Sequence, residues 1–504
     1  MPSNLEPQNS TALLADEEGS IAHFRKAHRL GKIRHWKTAG FVLFVCVTIG
    51  FAKTKVVYTK LLNFTGPNGY YPGALVQGTD GNLYGATFSS VTGPPHDHTY
   101  TGGIVYKMTS AGAQTTLYTF CTQENCPDGD APNPLILGTD GNFYGTTLYG
   151  GANAGVNGSG QSVGGTIFRL TPAGGLTTLY SFCAKTNCTD GSNPSSSLIE
   201  GTDGNFYGTT DQGGANGAGT IFKVTPAGTL TTLYSFKAAS EYNFDMALVQ
   251  GTDGNFYGTT YSGGTNSDGI VFKITPQGKL TTLYDFCSQP NCTDGSNPAA
   301  GVIQATDGNF YGTTYTGGAA NLGTVFKITT AGTLTTLYSF CTKQGCPDGA
   351  DPQTTLAEAT DGNLYGTTGS TMFNITLAGK LTTLHPFGGA LPINTVVQAT
   401  NGVFYSTTYL GGSKAIGTAY SVAVGLGPFV ETVQPSGAVG QTVVILGQGF
   451  TGTTEVSFNG TSASYTVVSN TELTAEVPSG ATTGPITVVT PGGTLTSNKP
   501  FIVP

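Results

Sequence analysis

Charge is what this chain has least of. Of its 504 residues only 10 % are Asp, Glu, Lys or Arg, against about 25 % in an ordinary globular protein. The formal net charge of −8 is unevenly spread: in residues 1–52, Arg25, Lys26, Arg29, Lys32, Arg34 and Lys37 outnumber Glu6, Asp16, Glu17 and Glu18 by two, which leaves the remainder at −10. An acidic body poor in Lys and Arg excludes nucleic acid as a partner, because phosphate contacts need clustered cations. Long apolar runs are missing too. The one such stretch, Ala39 to Ala52, has fourteen residues, short of the about 20 that a spanning helix needs. Catalytic signatures are also absent: no G-x-S-x-G elbow, H-E-x-x-H or P-loop occurs, and beyond residue 52 the histidines are His96, His98 and His385.

Glycine is abundant instead, at 75 residues, and hydrophobic residues are not scarce, at 38 % with 24 Tyr and 27 Phe. Such a chain can build a core, and Gly, Thr and aromatics together point to many short strands joined by tight turns. The basic stretch from Arg25 to Lys37 followed by the apolar run has the order of an export signal, with Gly50-Phe51-Ala52 offering small residues at a cleavage site. Membrane contact is expected only through this segment, should it stay uncleaved. Cys46 follows Leu43-Phe44-Val45, which does not fit a lipidation site.

The other eight cysteines fall into four C-x4-C pairs: Cys121/Cys126, Cys183/Cys188, Cys287/Cys292 and Cys341/Cys346. Each pair follows an aromatic strand ending and precedes an Asp-Gly, while the corresponding loops after Phe64, Phe236 and Phe387 have no cysteine. Zinc would need four ligands close together, and these pairs lie in separate repeats. Disulfides in an exported protein are the expectation. Each closes a short loop, worth about 2 kcal/mol or less.

A repeat organises the rest. The motif T-D-G-N-[FL]-Y-G-[TA]-T places Asp at 80, 140, 203, 253, 307 and 361, and a degenerate seventh copy runs from Thr400-Asn401-Gly402 to Thr408. In the unit 197–236, Ser197–Gly201 reads as a short strand and Asp203-Gly204 as a two-residue hairpin turn. Asn205–Thr210 is a second strand with Phe206 and Tyr207 on opposite faces. A Gly213-Gly214 loop, a third strand Gly219–Val224, a Thr225-Pro226-Ala227-Gly228 turn and a fourth strand Leu230–Phe236 follow. The seventh unit lacks its fourth strand, and an orphan copy, Tyr58–Phe64, precedes the first unit. The expected fold is an all-β, seven-bladed β-propeller over residues 53–424 closed by its N-terminal strand, which removes the open seam.

The T-D-G-N-F-Y-G-T-T, G-T-[IV]-F-K-[IV]-T-P-A-G and L-T-T-L-Y-S-F blocks resemble the Gloeo/Verruco (GloVer) tandem-repeat family, which implies a propeller-like extracytoplasmic protein with no catalytic residues to carry over. Residues 425–504 carry few charges (Glu431, Glu455, Glu472, Glu476 and Lys499), and Val443–Phe450, Val456–Gly460 and Pro485–Val489 resemble strands of the IPT/TIG immunoglobulin-like β-sandwich.

Function is less legible. The T-D-G-N aspartates have a sufficient cause in turn chemistry, so no catalytic or metal residue is assigned. The D-G-x-x-P loops at Asp128, Asp190, Asp294 and Asp348 lack an EF-hand's spacing; loop stabilisation is preferred there over Ca²⁺, and no cofactor is expected. His385 takes the Tyr place of an L-Y-S-F strand and reads as packing, and His96-Asp97-His98 reads as a solvated loop. Topology puts the uniform T-D-G-N and T-P-A-G turns on one side of the disc, and the variable loops, Gly-Gly loops and disulfides on the other, where binding normally resides. Tyr261, Tyr315 and Tyr409 end second strands on that side and are, with Asp211, the candidate ligand-binding residues. The expectation is a binding or adhesion protein whose partner is a glycan or a cell-surface protein. The competing expectations are a polysaccharide-acting propeller enzyme using Asp211, Glu241 or Asp245, and a structural spacer.

Overall fold

A computed structural model describes residues 55–89, 102–156, 160, 162–237 and 248–504. Within them the chain is all-β; helix is confined to two single turns, Thr186–Cys188 and Pro290–Cys292. Seven antiparallel sheets follow the repeat among the described residues. Blades one to six span residues 70–119, 130–181, 199–235, 249–285, 303–339 and 357–386. The seventh combines residues 397–423 with Val57–Asn63.

In the third blade the strands are Ile199–Glu200, Phe206–Thr210, Thr220–Val224 and Leu230–Ser235. The first turn differs from the two-residue hairpin expected of Asp203-Gly204. Gly204 N–H donates to Gly201 O at 2.9 Å and Gly201 N–H to Asn205 O at 2.8 Å, so Thr202 and Asp203 make the bend and Gly204, at φ +72°, follows it in the left-handed region. This is the three-residue loop with a glycine bulge. Asp203 stays at negative φ because its carboxylate caps the turn, accepting from Asn205 N–H at 3.2 Å and Asn205 Nδ2 at 2.8 Å.

Phe206 and Tyr207 are 2 % and 1 % exposed, since both faces of a blade are covered by its neighbours. Phe206 stacks on Tyr144 of the blade before, and Tyr207 packs on Phe256 of the blade after, each with centroids 4.0 Å apart. Tyr84–Phe143, Tyr257–Phe310 and Tyr365–Phe404 repeat the contact. Leu364 and Leu83 take the Phe place against Tyr311 and Tyr405. A second seam contact lies at the outer strand, where Leu233 is an extra residue in the ladder between Thr232 and Tyr234. Such bulges recur at the same leucine in the other blades, and all but that of blade six turn a carbonyl towards the glycine of the turn between the third and fourth strands of the next blade. Leu179 O meets Gly228, at φ +87°, so closely that a Cβ there would collide with it.

A third contact forms a belt. The last residue of each inner strand reaches back to the T-D-G threonine of the preceding blade. Glu200 accepts from Thr139 N–H and Oγ1, Gln250 from Thr202 N–H, Gln304 from Thr252 N–H, Glu358 from Thr306 N–H and Oγ1, and Gln398 from Thr360 N–H. Gln77 closes the belt by accepting from Thr400 N–H at 2.8 Å. Only the second blade breaks it among the described residues, with Leu137 at this place.

Closure follows the sequence expectation. Val57–Asn63 pairs antiparallel with Thr418–Ala423, and Phe64 is buried with Leu83, Tyr106 and Tyr405 across the seam between blades seven and one.

After the propeller, two four-stranded sheets enclose a core that includes Val443, Ile445, Phe458, Ile486 and Val488. This sandwich rests on the T-D-G turns of blades seven and one. Thr400, fully buried, accepts at Oγ1 from Gln77 Nε2 at 3.0 Å and Gln448 Nε2 at 2.9 Å, and donates to Gly447 O at 3.3 Å. Thr471 Oγ1 donates to Thr79 O at 2.8 Å, the threonine that Leu137 leaves out of the belt. A Cβ on Gly81 would meet Thr471 at 2.9 Å, and one on Gly402 would collide with Leu426 O, whereas at Gly141, Gly204, Gly254, Gly308 and Gly362 it would meet nothing within 4 Å.

The seventh copy also differs from most others in the charge of its turn. In blades one, three and five the turn Asp is paired with a third-strand lysine, Lys107–Asp80 at 3.6 Å, Lys223–Asp203 at 2.8 Å and Lys327–Asp307 at 2.9 Å, whereas blade six has Asn374 at that place. In the seventh copy both partners are neutral: Asn401 bonds to Tyr405 Oη at 3.0 Å, and Ser421 stands opposite Tyr405 where Lys223 stands opposite Tyr207.

Thr400→Val strands the amides of buried Gln77 and half-buried Gln448, so urea unfolding of the full chain is expected to show a loss of about 2 kcal/mol. Thr202→Val, at an uncovered turn, is expected to cost less than about 0.5 kcal/mol. Equal effects of the two would contradict the assigned contact.

Candidate functional site

The recurring acids resolve into two structural sets. In the T-D-G-N turns Asp80, Asp140, Asp203, Asp253, Asp307 and Asp361 each accept from the Tyr hydroxyl four residues on, at 2.8–2.9 Å. Burial alone would raise the Asp307 carboxyl, but bonds from Lys327, Asn309 and Tyr311 outweigh it and hold the group down to about 2. Asp140, Asp203 and Asp253 are lowered by the same balance.

The second set clamps the blade-to-blade loops. Asp128, Asp190, Asp294 and Asp348 accept from Tyr118, Tyr180, Tyr284 and Tyr338 hydroxyls at 2.7–2.9 Å. Each also accepts from backbone N–H groups at or just after the first cysteine, such as Cys121 N–H and Ala184 N–H. These carboxylates face donors, whereas a Ca²⁺ shell is built of oxygen acceptors.

All four expected disulfides are present: Cys121–Cys126, Cys183–Cys188, Cys287–Cys292 and Cys341–Cys346. The sulfurs beside Asp130 and Asp268 are therefore bonded to one another. Every bridged cysteine sits at positive φ, between 46° and 60°. Gly-Gly loops pack onto three of the bridged loops, through Gly151 N–H to Cys126 O, Gly214 N–H to Cys188 O and Gly318 N–H to Cys292 O, at 2.8–2.9 Å. Cys346 departs from this pattern. The sixth blade joins its second and third strands through residues 368–370 and has no Gly-Gly loop to lay on the bridge. Gly369 N–H donates to Ala350 O instead, and Cys346 O keeps the bond common to all four loops, from Gly349 N–H at 2.9 Å. Variable loops and disulfides thus share one layer, and the Cys341–Cys346 loop is the one without a Gly-Gly loop bonded to it.

The candidate residues of this face all follow a second strand, yet they fall at three different seams. Tyr261 and Tyr315 meet between blades four and five, centroids 6.5 Å apart and tilted by 42°. Tyr409 stacks on Tyr71 between blades seven and one, at 4.7 Å and 18°. Asp211 stands apart, between blades two and three, accepting from Ser195 Oγ at 2.6 Å. There it lines a cavity of about 300 Å³ with Leu148, Tyr149, Ser162, Asn193 and Gln212. Asn193 is buried and ties the walls together, its Nδ2 donating to Leu148 O at 3.3 Å and Ser162 O at 3.2 Å. Sequence reasoning picked out Asp211 alone. The signal for the others was its place in the repeat, where Leu148 and Asp211 occupy the positions of Tyr261 and Tyr315.

His385 stacks on Tyr58 with centroids 4.0 Å apart, and burial lowers its pKa, as a packing position implies. The export segment with Cys46, and His96, His98, Glu241 and Asp245, lie outside the described residues. Among the described residues no helix is long and apolar enough to cross a membrane.

The Gloeobacter/Verrucomicrobia repeat profile matches twice in tandem, over residues 96–292 and 287–427, and the IPT/TIG domain profile matches residues 428–503. The chain belongs to the Gloeobacter/Verrucomicrobia repeat family. No curated protein matches it. Solved structures similar to this Gloeobacter/Verrucomicrobia repeat protein include a streptogramin B lyase, at 17 % identity and a TM-score of 0.49, covering 74 % of this chain and 98 % of that one. A catalytically inactive virginiamycin B lyase from Staphylococcus aureus, solved with quinupristin, has 14 % identity and a TM-score of 0.49, covering 73 % and 99 %. The Pseudomonas aeruginosa periplasmic gluconolactonase has 16 % identity and a TM-score of 0.40, covering 71 % and 98 %. Likenesses this loose transfer no substrate and no residue role to the repeat protein.

The depressed turn aspartates set an acid limit. A carboxyl whose folded pKa lies below its unfolded value adds stability above about pH 4, and that stability is lost as pH falls through the folded value, here about 2 for Asp307. Urea midpoints are expected to drop between about pH 4 and about pH 2. Asp307→Asn should start lower and show a shallower drop; an unchanged acid slope would contradict the assignment.

Proposed function

We propose that this is an extracytoplasmic binding or adhesion protein that presents the disulfide-stiffened loop face of its propeller to a glycan or protein ligand. The observation that carries the reading is the inequality of the two faces. The hairpin face repeats one turn and bears the sandwich over blades seven and one. The loop face gathers the bridged loops, the aromatic residues Tyr261, Tyr315 and Tyr409, and the cavity at Asp211. Variable loops on a rigid scaffold are where recognition is normally built.

Four disulfides support folding in an oxidising compartment. Together with the charge-then-apolar order of residues 25–52 they favour the periplasm, the cell surface or the medium over the cytoplasm. IPT/TIG-like sandwiches commonly serve as spacers or adhesion modules, an analogy at the level of fold. Here the sandwich would hold the loop face away from its own attachment.

The test is a glycan array probed with the full chain, with and without reductant, alongside cell-surface binding. Binding that weakens on reduction is expected. Retention of full binding by a chain with its loop-face tyrosines changed to alanine (Tyr261→Ala, Tyr315→Ala, Tyr409→Ala) and its disulfides reduced would overturn the loop-face reading. So would the absence of any glycan or cell-surface ligand.

A further inference from the structure

The four bridged loops differ in the charge around their sulfurs. A carboxylate oxygen of Asp130 lies within 4.8 Å of both the Cys121 and Cys126 sulfurs, and Asp268 stands as close to Cys287 and Cys292. Among the described residues no acid comes so close to both sulfurs of the other two bridges. Those two loops carry a lysine instead, two residues past the first cysteine: Lys185 after Cys183 and Lys343 after Cys341. Gln123 and Gln289 hold that place in the acid-flanked loops.

This charge decides how readily each bridge opens. The incoming nucleophile is a thiolate, and the departing sulfur leaves as one, faster the lower its pKa. A neighbouring carboxylate repels the first and raises the pKa of the second, whereas a lysine does the reverse. Two bridges are shielded from reduction in this way, and two are not.

The unshielded pair differ in how their loops are fastened. Asp190 accepts from Ala184 N–H through Oδ2 and from Lys185 N–H through Oδ1, and Gly214 N–H is laid on Cys188 O. Asp348 accepts from the Tyr338 hydroxyl and Cys341 N–H through Oδ2 alone, and its buried Oδ1 has no partner among the described residues. No Gly-Gly loop bonds to Cys346 O. With this bridge cut, fewer bonds remain to hold Cys341 and Cys346 at φ +56° and +46°, a region that L-residues leave readily. The same loop runs into the seam between blades five and six. Asp351 N–H donates to Leu322 O, and Pro352 lies so close to Gly323 that a Cβ there would collide with it. The carbonyl of Tyr315 borders the same glycine.

We propose that Cys341–Cys346 is a redox switch, opened by a dithiol reductant ahead of the other three bridges and releasing the loop that seats Pro352 beside Tyr315. The reductant's thiolate attacks one sulfur and expels the other as a thiolate. Its second thiol then resolves the mixed disulfide. The protein gains two electrons and two protons as two thiols, and the reductant leaves as a cyclic disulfide. The other three bridges keep the rest of the face stiff. The effect on ligand binding rests on the loop-face reading; the order of reduction does not.

The experiment is stepwise reduction of the full chain with dithiothreitol, quenched by alkylation, with each cysteine pair scored by peptide mass. Cys341/Cys346 should open first, about tenfold faster than Cys121/Cys126 and Cys287/Cys292, with Cys183/Cys188 between them. Asp268→Asn keeps an acceptor for Ser296 Oγ and removes the charge, so Cys287–Cys292 should open several-fold faster in it. The other three bridges of the same molecule are the internal control and should keep their rates. Another bridge opening first, all four opening together, or an unchanged Cys287–Cys292 rate in Asp268→Asn would overturn the proposal. With Cys341/Cys346 alone opened, glycan-array binding is expected to weaken. Undiminished binding at that stage would overturn the switch while leaving the loop-face reading in place. Absence of array binding by the fully bridged chain tells against the loop-face reading itself, and the order of reduction still decides which bridge is labile.

Discussion

Every seam of the ring closes on a tyrosine. Tyr84, Tyr144, Tyr207, Tyr257, Tyr311, Tyr365 and Tyr405 are all buried, and each has two duties. Its ring packs on the Phe or Leu of the next blade, and its hydroxyl ties down the turn that begins its own strand, through Asp in six copies and Asn401 in the seventh. An aromatic pair contributes about 0.5–1.5 kcal/mol beyond the area it buries. More important here is that one side chain couples turn geometry to blade packing. If the turn slips, the ring tilts, and the seam opens. That coupling explains why T-D-G-N-F-Y keeps its spacing while the loops between copies vary in length.

Much of this was legible in the sequence because it is local. The alternation of Phe206 and Tyr207, the paired cysteines and the orphan strand Tyr58–Phe64 all follow from spacing within one unit. What was not legible involves side-chain partners, close by in the turn or across a seam in another blade or the sandwich. Asp-Gly suggested a two-residue hairpin, yet the Asp carboxylate caps the bend and leaves only the glycine at positive φ, a result that depends on a Tyr hydroxyl arriving from the strand. The Gln and Glu belt was invisible because Gln250 and Gln304 look like ordinary strand residues until the ring places them beside the preceding blade. The seventh copy looked degenerate; that its Thr400 is the residue the sandwich holds emerged only from the structure. At the candidate site, Asp211 stood out as a break in the pattern, but the cavity required knowing that Leu148 faces it across a seam.

The two faces differ in what sets their chemistry. On the hairpin face the acids are saturated by their own turn, and identical copies leave nothing to discriminate between ligands. On the loop face the bridged loops are fixed from below by aspartates, three of them buried, and Gly-Gly loops hydrogen-bond onto three of the four. This leaves the residues near or just past the ends of the second strands as the positions that can change without disturbing a seam's core: Phe88, Leu148, Asp211, Tyr261, Tyr315, Gly369 and Tyr409. Recognition can be rewritten there while the frame stays constant.

The sandwich also works as a caliper. Arrays of near-identical copies gain and lose units readily by recombination, and the uniform stretch from the third to the fifth blade is open to such events. The C-terminal domain, however, grips blades seven and one at once, through Gln448 on Thr400 and Thr471 on Thr79. An added or deleted unit would change the angle at which those two blades meet, and the grip would fail at one end. The sandwich thus fits one angle between those two blades, although it contributes no strand to either.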